Sequence, residues 1–273
     1  KTIMYMEKNK IYCGDSLDLM KELDDDSVDL VITSPPYADL KKYIDFDGIH
    51  PDKYVEWFIP YCKEIERIIK PTGSFILNIN DKVQNKVRHP YVFDLISELH
   101  KQTGLKMYER LFWNKLKSLP NRARFGDRVE YIFWFVKDEK SFNFNLDEMR
   151  VPYSEKSIKR MTKPLKKRYS RSLETDGNDF KSWSPNEKGA LPTTLVNISS
   201  ETKRISDKHV AVYPVELVDY FIKGSTNEDD LVLDPFMGVG TTGLSCKGLD
   251  RNYIGFEMQQ EYIDISNHRI ENG

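Results

Sequence analysis

Residues 234–243 read DPFMGVGTTG, and the fold turns on how they are read. The stretch contains Gly238-Val239-Gly240-Thr241-Thr242-Gly243, a literal G-x-G-x-x-G. LVLDPF (231–236) before it has the character of a strand, and TTGLSCKGL (241–249) opens a short helix. NYIGFE (252–257) is the next strand and ends on an acid, Glu257. Taken alone, these letters also describe a tight strand-to-helix turn. Strand, glycines, helix, strand and terminal acid in that order point to an adenosine-containing cofactor. Asp234 selects among such cofactors. It closes its strand with a carboxylate, which a pyrophosphate would avoid and a methionine ammonium group would favour. S-adenosylmethionine therefore fits better than a nicotinamide dinucleotide. Glu257 is placed to accept both ribose hydroxyls, and the glycines to let backbone approach the cofactor closely. Phe236 reads equally as core or as a cofactor contact.

Only 30 residues follow Gly243, too few to complete a nucleotide-binding sheet. The missing strands stand at the other end of the chain: NKIYCGD (9–15), VDLVITSPPY (28–37) and SFILNIND (74–81). Joined after LVLDPF and NYIGFE, they make five βα units, with Asp234, Glu257 and Asp15 closing the first three strands. Alternating strands and helices predict an open, mostly parallel α/β sheet. Ligands of such sheets bind at the carboxyl ends of the strands. Asp15, Asp234, Glu257 and Ser34-Pro35-Pro36-Tyr37 should then line one rim, with the two prolines a rigid wall beside the cofactor.

Between these strands, DKYVEWFIPYCKEIERIIK (52–70) places Val55, Phe58, Ile59, Cys62, Ile65, Ile68 and Ile69 on one helical face, with Pro60 expected to kink or delay the helix. Pro71-Thr72-Gly73 reads as a turn, YVFDLISELH (91–100) as a helix, and KMYERLFWNK (106–115) with VEYIFWFVK (129–137) as an antiparallel pair. The rhythm stops over about 138–207. It resumes with Pro214 opening VELVDYFIK (215–223) and Gly224 closing it. Three parts follow: 1–137, an inserted or appended module at 138–207, and 208–273.

Charge is unevenly spread. Residues 150–172 hold nine Lys/Arg against one acid, Glu155, leaving −10 for the rest of a chain whose net charge is −2. A basic segment with interleaved Tyr153, Met161 and Tyr169 on an acidic body suits contact with a polyanion, although such runs are more often solvated faces. The three cysteines, Cys13, Cys62 and Cys246, are scattered, which suggests a reducing compartment and no disulfide framework. No apolar run approaches a membrane span, the first residues lack a signal-peptide core, and no Cys/His cluster has zinc spacing.

TSPPY early, a basic variable segment in the middle and DPFMGVGTT late together resemble the β group of amino-methylating DNA methyltransferases. EYIFWFVK (130–137) and HVAVYPVELVDYFI (209–222) add to the likeness, which covers roughly 10–137 and 208–270. The resemblance implies a Rossmann-like sheet with circularly permuted motif order and a target-recognition region at 138–207. It implies methyl transfer from S-adenosylmethionine to an exocyclic amino nitrogen of a base flipped out of duplex DNA. Tyr37 would stack on that base, while the Ser34 hydroxyl and Pro35 carbonyl accept its amino hydrogens and Pro36 keeps the carbonyl aimed. Asp15, Tyr213, Asp234, Pro235, Phe236, Gly238, Gly240, Thr241, Thr242 and Glu257 would form the cofactor site. Arg122, Arg124, Lys166, Lys167, Arg168 and Arg171 would contact DNA. In this family serine at the Ser34 position goes mostly with cytosine N4, and Asp or Asn mostly with adenine N6. The resemblance also implies a cytoplasmic, nucleoid-associated prokaryotic enzyme, a cognate restriction endonuclease as partner, and neither metal nor membrane.

C5 methylation of cytosine needs a cysteine after proline, and Cys13, Cys62 and Cys246 sit in YCG, YCK and SCK. Three alternatives stay open: an N6-adenine enzyme of the same group, an NAD-dependent oxidoreductase carried by GVGTTG, and a non-catalytic DNA-binding protein. RNA in place of DNA would use the same motifs.

Overall fold

Short runs of three to eleven residues, too short for independent helices, become the strands of one sheet. The computed structural model describes residues 6–38, 48–84, 86–116, 125–161, 185–200 and 213–273. The strands are β1 (Lys10–Cys13), β2 (Val28–Thr33), β3 (Ile69–Ile79), β4 (Lys82–Gln84), β5 (Val87–His89), β6 (Lys106–Asn114), β7 (Val129–Val136), β8 (Leu195–Asn197), β9 (Leu231–Asp234) and β10 (Asn252–Glu257). The helices are α1 (Ser16–Met20), α2 (Pro51–Ile68), α3 (Tyr91–Gln102), α4 (Glu155–Met161), α5 (Val215–Ser225), α6 (Thr241–Gly248) and α7 (Gln260–Asn272).

Among the described residues, eight strands join in the order β1-β10-β9-β2-β3-β7-β6-β8, and β4 pairs with β5 in a separate hairpin. The first five run parallel, and β7 is antiparallel to both β3 and β6. Counted from β9, the parallel order is 3-2-1-4-5. The strand order therefore reverses between β9 and β2, where open α/β sheets place their ligands. This is the permuted α/β sheet that the sequence predicts.

Central strands are buried on both faces and so read as unbroken apolar runs. Val31, Phe75, Leu77, Phe133 and Phe135 face the core under α2 and α3. Their neighbours Leu30, Ile32, Ile76, Ile132 and Trp134 face the core shared with α5, α6 and α7. Trp134 is 1% exposed and its indole N–H donates to Ser74 Oγ at 2.9 Å, so the large ring is buried with its one donor satisfied.

Three local expectations change. The Pro71-Thr72-Gly73 turn is a bulge inside β3, whose register against β2 jumps from Val28↔Ile69 to Leu30↔Ser74. Pro71 has no N–H for the ladder, and the bulge carbonyl of Thr72 accepts from Asn143 N at 2.9 Å. Ile69 begins this strand and so leaves the face of α2 assigned to it. Pro60 neither delays nor ends α2, which starts at Pro51; it lies on the exposed side, where water can take the freed carbonyl. Gly224 lies within the last turn of α5, and Thr226 caps it. A side chain at Gly224 would meet Met149 Sδ, so the glycine serves close packing.

The described parts of 138–207 are tied into the sheet. Phe142 and Phe144 pack on the second core. Asn145 Nδ2 donates to the Lys223 and Thr226 carbonyls at 3.2 and 2.8 Å, closing the end of α5. Strand β8 pairs parallel with β6, and Trp113 Nε1 donates to Ile198 O at 2.8 Å.

A Cβ at Gly73 would meet the backbone carbonyl oxygens of Asp29, Lys70 and Val28 at 2.9–3.1 Å, whereas one at Gly248 would meet nothing within 4 Å. Gly73→Ala should therefore cost about 1–3 kcal/mol. Gly248→Ala at the end of α6 should gain up to about 1 kcal/mol. Urea denaturation of both variants checks the contrast.

Candidate active site

Two strand ends meet at the reversal point. Thr33 ends β2 and Asp234 ends β9, and Thr33 Oγ1 donates to Asp234 Oδ1 at 2.7 Å. The same oxygen accepts from Phe236 N at 3.0 Å. Asp234 Oδ2 accepts from Thr242 Oγ1 at 2.6 Å and Tyr213 Oη at 2.9 Å. Asp234 is 1% exposed. Burial pushes its carboxyl above the ordinary range, and these donors oppose the shift. The sequence placed this carboxylate against an ammonium group. Four donors from within the protein meet it here, two on each oxygen, so it also organises the rim.

The turn after Asp234 is shaped by its glycines. Gly238 and Gly240 have φ of +54° and +80°, a region that glycine enters without strain. Two of the glycines of this loop also have a packing role. A Cβ at Gly240 would lie 2.7 Å from Ser266 Cβ, and one at Gly243 2.5 Å from Ile270 Cδ1. Both admit α7. Thr241 and Thr242 are likewise buried, and the Thr242 hydroxyl proton is spent on Asp234. Pro235 is buried beside them.

The open positions are elsewhere on the rim. Glu257, at the end of β10, accepts from Gly238 N at 2.9 Å and Gln259 N at 3.0 Å, one bond to each oxygen. With the Met258 N–H as a third donor, a carboxylate that can accept about four bonds keeps room for a ribose hydroxyl. Burial raises its carboxyl, and the backbone N–H groups of Gln259, Gly238 and Met258 oppose this. Asp15, exposed at the end of β1, caps α1 through Leu17 N at 2.8 Å. Phe236 is partly buried, with ring centroids 5.9 Å from Trp57, 6.2 Å from Phe58 and 5.4 Å from Tyr61 on α2. Burial, then the Asp15 charge, push the Tyr61 phenol up to about 12. Two carboxylates beside an aromatic wall suit an adenosine, so the residues present fit S-adenosylmethionine.

Beyond β2 lies the Ser34–Tyr37 segment. Pro35 is buried, and the Pro36 carbonyl accepts from Tyr54 Oη at 2.9 Å. Ser34 Oγ donates to Tyr37 Oη at 3.1 Å, and Tyr37 Oη donates to Glu130 Oε2 at 2.8 Å. Glu130, the second residue of β7, also accepts from Asn78 Nδ2 at 3.1 Å and Lys115 Nζ at 3.0 Å. Burial first, and Glu130 second, hold the Tyr37 phenol well above its usual range. Asn78 is 6% exposed, and its Oδ1 has no hydrogen-bond partner. It lines a narrow, mostly apolar cavity with Thr33 and Tyr213. The sequence reading missed Glu130, Asn78 and Lys115. A carboxylate opening the otherwise apolar run EYIFWFV was the available signal for Glu130.

A family model described as DNA methylase matches residues 28–268. The chain belongs to this DNA methylase family, of the N6/N4 type. Among curated relatives, the type II methyltransferase M.PvuII of Proteus hauseri is 31% identical, over 95% of this methylase and 83% of its own length. The type II methyltransferase M1.MboII of Moraxella bovis is 30% identical over 96% of both chains. The solved PvuII DNA methyltransferase (cytosine-N4-specific) superposes with a TM-score of 0.73 at 26% identity, covering 97% of this methylase and 86% of that chain. The M1.HpyAVI–SAM complex shares the fold with a TM-score of 0.60 at 24% identity, covering 96% and 98%.

The methylase's six basic candidates, Arg122, Arg124, Lys166, Lys167, Arg168 and Arg171, lie outside the described residues. The strand ends flanking residues 117–124, Asn114 and Val129, pair with each other on the rim that carries Glu130. Among the described residues no helix is long and apolar enough to cross a membrane, and no group of three or more His, Cys, Asp or Glu side chains is placed to hold a metal ion.

Glu257 gives the methylase a pH signature. Its folded value is raised above the ordinary 4.5, so its contribution to stability is complete below that value and is lost as pH rises through the folded one. Without cofactor, Glu257→Gln should gain stability relative to wild type as pH rises from about 4 to about 7. Denaturation midpoints across that range check the sign.

Proposed function

We propose that this methylase moves a methyl group from S-adenosylmethionine to the exocyclic N4 of a cytosine flipped out of duplex DNA, at a specific site. It would be the modification member of a restriction–modification pair in a prokaryotic cytoplasm. The observation that carries the reading is Ser34: a hydroxyl held at the end of β2, beside the reversal point of the sheet, on a segment whose prolines restrict its backbone. Its likeness to a solved enzyme named cytosine-N4-specific supports cytosine over adenine.

S-adenosylmethionine, when bound, supplies a methyl group on a positively charged sulfur, open to attack by a nucleophile. Glu257 and Asp15 would hold its ribose end, and Phe236 with the α2 aromatics its ring. Asp234, Thr242 and Tyr213 would act on this site by fixing the turn that carries it. A cytosine amino group is a poor nucleophile because its lone pair is delocalised into the ring. Ser34 Oγ and the Pro35 carbonyl, accepting its hydrogens, would localise that pair and aim it. Tyr37 would stack its ring on the flipped base, restoring part of the stacking lost on extrusion. Residues 138–207 would read the target sequence, with Arg122, Arg124 and the basic run at 166–171 on phosphates and base edges. Division into 1–137, 138–207 and 208–273 is part of this reading.

The test is methyl transfer from labelled S-adenosylmethionine to mixed-sequence duplex DNA, followed by digestion to nucleosides and mass identification. N4-methylcytosine is the expected product, and Ser34→Ala should lower its rate on the order of 100-fold. N6-methyladenine would overturn the serine argument and keep the family's chemistry.

A further inference from the structure

The hydrogen bonds behind Ser34 have a direction. Ser34 Oγ donates to Tyr37 Oη, and Tyr37 Oη donates to Glu130 Oε2, at 3.1 and 2.8 Å. Both hydroxyls point their protons the same way, from the catalytic rim toward a carboxylate. Lys115 Nζ and Asn78 Nδ2 fix that carboxylate at 3.0 and 3.1 Å. Its side chain is 14% exposed and that of Lys115 is 21%, so the far end of the chain meets solvent.

Methyl transfer to an amino group needs such a path. As nitrogen bonds the methyl carbon, the carbon–sulfur bond breaks with its electron pair on sulfur. The product nitrogen then carries a positive charge and one hydrogen too many. We propose that Glu130 is the terminal acceptor of this proton, reached through Ser34 and Tyr37. The N–H bond breaks with its electrons on nitrogen, and the proton passes to Ser34 Oγ. Ser34's own proton passes to Tyr37 Oη, and Tyr37's to Glu130 Oε2. Three O–H bonds form and two break, for one N–H lost. Each hydroxyl ends as it began, and Glu130 afterwards returns the proton to water. The Tyr37 phenol resists ionisation in this setting, so it can pass a proton only as it receives one. Glu130 acts through other groups and touches no substrate. This inference rests on the reading of Ser34 given above.

Single-turnover methyl transfer to duplex DNA, with cofactor prebound, tests it across pH. Tyr37→Phe keeps the stacking ring and cuts the chain; Glu130→Gln keeps shape and removes the acceptor. Each should slow the step on the order of 100-fold. The double variant should be no slower than either alone, and Glu130→Gln should lose the fall in rate seen in acid. With 13C-labelled tyrosine and no cofactor or DNA, Glu130→Gln should also lower the pH at which Tyr37 ionises. A Glu130→Gln rate within twofold of wild type overturns the relay, as does a slow variant that keeps the acid fall. If Glu130→Gln does not fold, Tyr37→Phe decides, and a near wild-type rate sinks the idea. Loss of activity in Ser34→Ala with both other variants intact would reject the relay alone; an unimpaired Ser34→Ala would reject the reading beneath it.

Discussion

One buried carboxylate joins the two ends of the chain. Asp234 receives a hydroxyl from the end of β2, a phenol from the residue before Pro214, a hydroxyl from the first turn of α6 and an N–H from its own turn. Taking a carboxylate out of water costs several kcal/mol, and only a full set of donors offsets it. That requirement makes the site exacting. If any donor moved, a buried charge would be left short, so strand ends, glycine turn and helix are held in one arrangement. A second carboxylate extends the join: Asp29, next to the bulge, takes Lys70 Nζ on both oxygens at 2.8 Å and Leu231 N at 2.9 Å. Between them these two residues pin β9 to β2 at its start and at its end.

The rim then divides by chemistry. On the side of β9, β10 and β1 stand carboxylates with unused lone pairs beside a wall of rings, a setting for hydroxyls and a flat heterocycle. On the side of β2, β3 and β7 the acid is already engaged, by an amide, an ammonium and a phenol. Its reach extends outward only through hydroxyl groups. The reversal of strand order puts these two surfaces side by side, which a transfer between two bound molecules requires.

Much of this was legible in the letters. Apolar runs fixed the strands, and the order of acids and glycines identified the rim without any contact being known. The rest failed for physical reasons. Pro71-Thr72-Gly73 has turn composition, yet a bulge asks for the same residues, and only pairing on both sides tells them apart. Gly240 and Gly243 also make room for α7, a packing role that the nucleotide pattern does not announce. The donors of Asp234 cannot be read from the letters because Thr33 and Tyr213 are distant or separated from it in the chain. Glu130 shows in the letters as a carboxylate opening an apolar run, but its role does not, because its partners lie in three other segments. Sequence shows which residues reach the rim. It does not show which of them are already occupied.

The permuted order also shapes how the molecule comes into being. Strand β1 pairs with β10 alone, Lys10↔Ile254 through Cys13↔Glu257, across more than 240 residues of chain. In the order of synthesis β1 therefore precedes β10, its one partner among the described strands, by more than 240 residues. Contacts so far apart form late. Until β10 emerges the nascent chain presents an unpaired strand edge, so the newborn protein depends on remaining apart from its siblings over that interval.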